Sequence, residues 1–181
     1  MKINDIFLKK VLNKLIEHKA TPILVGGCVR DSFLNIAVKD YDVEVYGLNT
    51  LEELEEILKE FGSVNLVGKS FGIVKLSTKT MEYDFSFPRL ENKIADFTIN
   101  SIGYDYKNKI YLDPFYGLKD IEERILRHID DDTFTEDPLR VYRAIQFIAR
   151  FDFVLDIQTF KLCKQIVQTD EFLSLSKERI Y

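Results

Sequence analysis

Long apolar runs are missing from this sequence. No stretch of its 181 residues approaches the roughly 20 consecutive apolar residues that cross a bilayer, and residues 1–20 carry charges throughout, so neither a transmembrane helix nor a secretory leader is expected. Cysteine is scarce as well. Cys28 and Cys163 stand far apart with no C-x-x-C or clustered histidine spacing, which excludes a disulfide framework and a zinc site and fits reduced thiols in the cytoplasm. Repeats and low-complexity tracts are absent. Basic charge is short too: 25 Lys and Arg against 30 Asp and Glu leave a net charge of −5, which argues against a chain that coats nucleic acid indiscriminately. A specific RNA contact stays open, because Arg140, Arg143 and Arg150 cluster late in the chain while the acids concentrate elsewhere.

What is present suffices for a packed core, with 46% hydrophobic residues. Ile3, Ile6, Phe7, Val11, Leu12, Leu15 and Ile16 recur at helical spacing over residues 3–19, and Thr21 with Pro22 ends that helix. Ile23, Leu24 and Val25 read as a buried strand stopping at Gly26 and Gly27, with a short helix after it. Tyr41, Val43 and Val45 alternate with Asp40, Asp42 and Glu44, the mark of a strand with one acidic face. Thr50 and Glu53 form a capping box for a helix to about residue 61, and short strands are expected at 63–67, 72–76 and 81–87. Residues 103–106 pair with 110–112 across Lys107 and Asn108. Asp137 and Pro138 open a long helix to about Phe151, and another follows Asp156. The expected class is therefore α+β: a small mixed sheet with helices on one face over residues 1–116, followed by an all-helical part over 117–181.

Two local patterns carry chemistry. Asp40 and Asp42, two apart on a strand, project carboxylates from the same face and suit a pair of Mg²⁺ ions, with Asp84 on a later strand as a third ligand. Gly26 and Gly27 sit between a buried strand and a helix, where backbone N–H groups meet phosphates, and Arg30 and Asp31 stand beside that turn, placed to meet a phosphate or a ribose. Taken alone, the first pattern is equally a solvated strand face and the second an ordinary tight turn. Cys28 has no partner base and reads as a small packed residue. Asp137 before Pro138 reads as a helix N-cap, and Glu136 with Arg140 as an ordinary i, i+4 surface pair.

Their order along the chain adds to them. Gly26-Gly27-Cys28-Val29-Arg30-Asp31 followed by Lys39-Asp40-Tyr41-Asp42 resembles the G-G-x-V-R-D and D-x-D signature of the class II template-independent nucleotidyltransferases, the CCA-adding enzymes and bacterial poly(A) polymerases of the DNA polymerase beta superfamily. Phe71-Gly72-Ile73-Val74-Lys75, Asp84-Phe85-Ser86-Phe87-Pro88-Arg89, Asp96-Phe97-Thr98-Ile99-Asn100 and Glu136-Asp137-Pro138-Leu139-Arg140 resemble later motifs of that family in the same order. The resemblance implies a catalytic head and the beginning of a neck. It implies metal on Asp40 and Asp42, a triphosphate on Gly26, Gly27 and Arg30, and ribose contacts from Asp96 and Asn100. It also implies a protein template in which Asp137 and Arg140 read the edge of C or A and Glu136 steadies Arg140, with Arg143 and Arg150 as further nucleotide-binding arginines. ATP, CTP and an RNA 3′ end, foremost that of tRNA, are the partners so implied, with no membrane.

The sequence departs from the family pattern in several places. Ile94 and Ala95 stand where the family carries two arginines, residues 90–95 form a shorter loop than usual, and Gln146 replaces a common arginine. These changes thin the basic side of the cleft and point to weakened catalysis, or to a nucleotide- or RNA-binding module without turnover. The family also continues into body and tail domains, so missing domains or a partner subunit are expected. The motifs are shared between CCA and poly(A) addition; residues 39–47 look most like the former.

Overall fold

The computed structural model describes residues 1–67, 72–78, 81–88 and 95–175. The readings made on Phe71, Arg89, residues 90–94 and residues 178–181 lie outside them. Two compact units emerge, one from Met1–Asn92 with Ile102–Leu112, the other from Lys93–Ser101 with Asp113–Tyr181.

The first unit is a seven-stranded mixed sheet with helices, as its alternating and helical sequence periods predict. In chain order it contains α1 (Ile6–Glu17), β1 (Thr21–Val25), α2 (Gly27–Phe33), β2 (Tyr41–Tyr46), α3 (Leu51–Lys59), β3 (Ser63–Val67), β4 (Ile73–Ser77), β5 (Glu82–Ser86), β6 (Gly103–Asp105) and β7 (Ile110–Leu112). The strand order is β3-β4-β5-β2-β1-β6-β7. Only β2 and β5 run parallel; every other neighbouring pair is antiparallel.

Helix α1 is shorter than its apolar pattern suggested because Asp5 caps it, accepting from the Leu8 N–H at 2.9 Å. Its stripe of Leu8, Val11, Leu12 and Leu15 is fully buried, and each such side chain contributes roughly 1.5–3 kcal/mol relative to an exposed position. The free oxygen of Asp5 accepts from the Tyr83 hydroxyl at 2.6 Å, which ties the helix start to β5. Thr50 caps α3 by accepting from Glu53 N–H, while the Glu53 carboxylate reaches back one residue further than expected, to Asn49 N–H. On β2 the alternation holds: Tyr41, Val43 and Val45 are buried and Asp42 is exposed.

The second unit holds a 3-10 turn (Thr98–Asn100), α4 (Gly117–Glu123), β8 (Ile125–Leu126), α5 (Asp131–Thr135), α6 (Leu139–Phe151), β9 (Val154–Leu155), α7 (Ile157–Ile166) and α8 (Asp170–Leu173). It is not purely helical, since β8 and β9 pair in parallel. Residues 95–101 pack here for an identifiable reason. Phe97 is fully buried edge-on to Phe134 and Phe147, the Thr98 N–H donates to the Arg127 carbonyl, and the Thr98 hydroxyl donates to Asp120 at 2.7 Å. Arg127 bridges Asp120 and Asp156, and Asp156 also caps α7. Helix α6 begins at Leu139, one residue later than read, with Pro138 as its N-cap and the Asp137 carboxylate accepting from the Leu139 N–H. No helix among the described residues is long and apolar enough to cross a membrane.

Candidate active site

Strand register brings three sequence signals to one end of the first unit's sheet. Val25, the last residue before the glycine pair, lies opposite Asp42 across β1 and β2, and Asp42 lies opposite Asp84 across β2 and β5. The turn at Gly26 has φ +67° and ψ −132°, a conformation open to glycine and strained for any side chain. The Gly26 N–H donates to the Ile102 carbonyl at 3.3 Å and is thereby committed to the sheet. Any phosphate cradle therefore falls to the Gly27 and Cys28 N–H groups, because those of Val29 and Arg30 already donate to the Gly26 carbonyl.

Arg30 is placed differently from its sequence reading. It is buried, 6% exposed, and its Nε and Nη2 both donate to Asp31 Oδ1 at 2.8 and 2.7 Å. The guanidinium lies under Gly27, where an added methyl group would meet its Nη2 at 3.4 Å. Arg30 thus holds the glycine turn from behind. Burial pushes the Cys28 thiol up to about 12, so it is not a nucleophile at neutral pH.

Asp40 also departs from expectation. It precedes β2, which starts at Tyr41, and so lies outside the strand. Among the described residues no group of three or more His, Cys, Asp or Glu side chains is close enough to hold a metal ion, so Asp40, Asp42 and Asp84 do not form a ready triad. What the sheet does assemble is the Asp42 and Asp84 pair. Loss of water around the Asp42 carboxyl, then the charges of Asp84 and Asp40, hold it above the ordinary carboxylate value, and Lys75 works in the opposite direction. Asp84 Oδ1 is buried without a hydrogen bond and has Lys75 Nζ at 3.5 Å. Two carboxylates side by side, one with an oxygen that lacks a hydrogen bond and only partly offset by Lys75, fit a divalent cation that takes its remaining ligands from phosphate and water. Lys75 entered the sequence reading only as the end of the Phe71-Gly72-Ile73-Val74-Lys75 segment, with no role of its own, and its place opposite Asp84 comes from strand pairing.

In the second unit Asp96, Asn100 and Arg143 meet. One oxygen of the Asp96 carboxylate accepts from Asn100 Nδ2 at 2.9 Å and from the Phe97 N–H, and the other pairs with Arg143. Asp96 has a side-chain exposure of 7% and Arg143 of 50%, so the acid is a buried anchor that aims an exposed guanidinium. Arg140 Nη1 is buried with no hydrogen-bond partner, a donor that a planar polar edge would satisfy. Glu136 does not hold Arg140: it ends α5 as its C-cap and makes no ion pair among the described residues. Arg150 lies over the Phe151 ring, 4.7 Å from its centre.

Residues 23–96 match the family model described as the poly(A) polymerase head domain. Over 180 aligned residues the chain is 37% identical to a "Multifunctional CCA protein" of Nitrosomonas eutropha, covering 87% of this chain and 41% of that protein. The CCA-adding enzyme of Thermotoga maritima, solved in complex with tRNA, superposes with a TM-score of 0.83 at 32% identity over 96% of this chain and 44% of that one. The chain is thus similar to poly(A) polymerases and CCA-adding enzymes, and residues 23–96 carry the pattern of their head domain. A further CCA-adding enzyme, solved with CTP, matches with a TM-score of 0.83 at 29% identity over 98% of this chain and 45% of its own. The chain thus spans about half the length of the family members it matches, and its sheet unit carries the stretch that corresponds to their head.

Proposed function

We propose that this chain is the nucleotide- and metal-binding portion of a template-independent RNA nucleotidyltransferase that adds C and A to the 3′ end of tRNA in the cytoplasm. The observation that carries the reading is the register of Asp42 with Asp84 beside the glycine turn. A divalent cation, Mg²⁺ in this reading, would be held by Asp42 and Asp84 with Asp40 near them, and would neutralise charge building on the phosphate during in-line attack by the 3′-hydroxyl. Gly26 and Gly27 keep the strand end free of side chains so that a triphosphate can approach, and Arg30 stiffens the turn through Asp31. Within the second unit Arg143, aimed by Asp96 and Asn100, is suited to phosphate or ribose oxygens. Asp137 and the unpaired Nη1 of Arg140 offer an acceptor and a donor to a base edge, the chemistry that distinguishes C and A from other bases. CTP and ATP are the substrates this implies, and the rest of the machinery that grips the RNA would come from elsewhere in the protein or from a partner. The relatives named for CCA addition, and those solved with tRNA and CTP, support the choice over poly(A) addition.

The test has two arms. Purified chain should melt at a higher temperature with Mg²⁺ and CTP, by an amount corresponding to about 2.7 kcal/mol at a ligand concentration 100 times Kd. Asp42→Asn and Asp84→Asn should each abolish that response and any incorporation of CMP into tRNA lacking its CCA end. A CTP response left intact by both substitutions would overturn the assignment of the site. Binding without incorporation, even with the missing domains supplied, would replace transfer by a binding role.

A further inference from the structure

The sheet unit has a second concentration of charge that the nucleotide site does not use. Lys2, Lys9 of α1 and Lys109 of the β6–β7 hairpin line a cavity of about 380 Å³ together with Ile3, Tyr104 and Tyr106, and no carboxylate lines it. It lies at the far end of β1 from the glycine turn. The Tyr106 N–H donates to the Pro22 carbonyl whereas the Gly26 N–H donates to that of Ile102, and four residues of extended chain separate Pro22 from Gly26 by roughly 13 Å.

Three features make this cluster more than a solvated patch. In a chain with net charge −5 it gathers three lysines, and none of them takes part in an ion pair among the described residues. Asp105 attracts Lys109, but its two oxygens are already taken by the backbone and side-chain N–H groups of Asn108, at 2.9 and 2.7 Å. Partial burial and, after it, the charge of Lys9 push the Lys109 ammonium below its ordinary value, with Asp105 working in the opposite direction. The fold therefore maintains a small cavity lined by three cations with no ion pair among the described residues, a concentration of positive charge that a bound anion would offset.

The aromatic walls say which anion. Lys109 Nζ sits 3.4 Å from the centre of the Tyr106 ring, and the Tyr104 ring packs on Tyr111 at 5.0 Å, so both tyrosines already have ring partners. A stacked base is not what this cavity selects. We propose that it binds phosphate groups through Lys2, Lys9 and Lys109 without reading a base, the phosphates belonging either to a free pyrophosphate-like anion or to the backbone of an RNA strand. This site is separate from the nucleotide site, and its existence does not depend on the function proposed above.

The experiment is an amide NMR titration of the whole chain in EDTA, with pyrophosphate in one series and an oligouridylate of about ten nucleotides in the other. The expected result is saturable movement of the Tyr104, Tyr106 and Lys109 signals in at least one series. The double variant Lys9→Gln, Lys109→Gln should weaken that binding at least about tenfold, the loss expected of two charge-assisted contacts. It should keep a cooperative melt and the native amide spectrum away from the cavity, because both side chains are exposed. Response to pyrophosphate alone assigns a free anion. Response to the oligonucleotide, with a salt slope that falls by about 0.7 for each lysine removed, assigns a strand backbone. No movement of these signals in either series would overturn the proposal, as would movement that persists undiminished in Lys9→Gln, Lys109→Gln and in the charge-reversed Lys9→Glu, Lys109→Glu.

Discussion

Replacing Asp42 by asparagine should stabilise the metal-free protein, an unusual outcome for removing a charge from a sheet. Asp42 and Asp84 are directly opposed on neighbouring parallel strands, and such strands lie about 4.8 Å apart. Two negative charges about 5 Å apart repel by roughly 0.8 kcal/mol in a water-like dielectric and by about 1.7 kcal/mol if that dielectric is halved. Asp42 is exposed and Lys75 offsets part of the repulsion, so the lower figure applies, reduced further by salt. Asp42→Asn should therefore gain about 0.4–0.8 kcal/mol in EDTA at neutral pH and low salt, an increase in Tm of about 1–3 °C.

The pH dependence has a definite sign. Partial loss of water around the carboxyl, then the acidic neighbours Asp84 and Asp40, raise native Asp42 above its ordinary value of 3.8 although the residue as a whole is exposed, so its ionisation opposes folding. That penalty is absent below about pH 3.8, where both folded and unfolded chains are protonated, and complete above the raised native value. The advantage of Asp42→Asn should thus shrink as pH falls from 7 toward 4. In excess Mg²⁺ the order should invert, because the wild-type chain gains binding energy that the variant lacks. Calorimetric melts at pH 7 and pH 4.5, each with EDTA and with Mg²⁺, read all four states. A variant that melts lower than wild type in EDTA at pH 7, or that responds equally to Mg²⁺, would refute the paired-carboxylate account.

Other outcomes follow from single contacts. Gly26→Ala forces a side chain into a backbone conformation reserved for glycine, at a cost of about 1–3 kcal/mol measurable by urea unfolding, and should weaken CTP binding as well. Asp96→Ala leaves Asn100 and Arg143 without their shared acceptor and should cost about 2–3 kcal/mol, whereas Asp96→Asn should retain part of this. Native protein should resist thiol reagents at Cys28 at pH 8, since that thiol is 2% exposed and titrates near 12, and should react promptly once unfolded in urea.

Much of this protein can be read from the order of its residues, because the signals are local. The alternation of Tyr41, Val43 and Val45 dictates a strand with Asp42 on its other face, and the spacing of Leu8, Val11, Leu12 and Leu15 dictates a helix with one buried stripe. Gly26 marks its own turn, since few other residues accept its backbone angles. The resemblance of the ordered motifs was enough to indicate the family.

Relations across the sheet were not legible. That Asp84 stands beside Asp42 depends on which strands pair and in what register, and β5 reaches β2 only by a parallel pairing after two intervening strands. The same pairing sets Lys75 against Asp84, and the same chain path leaves Asp40 outside the strand. Arg30 and Glu136 show the limit from the other side. Their motifs suggested ligand and template contacts, but burial turned Arg30 inward onto Asp31, and a helix end took Glu136 away from Arg140. Local periodicity states which face a side chain takes within its own element; only the packing of elements decides which charges meet, because the distances that set electrostatic energies are fixed between segments far apart in the chain.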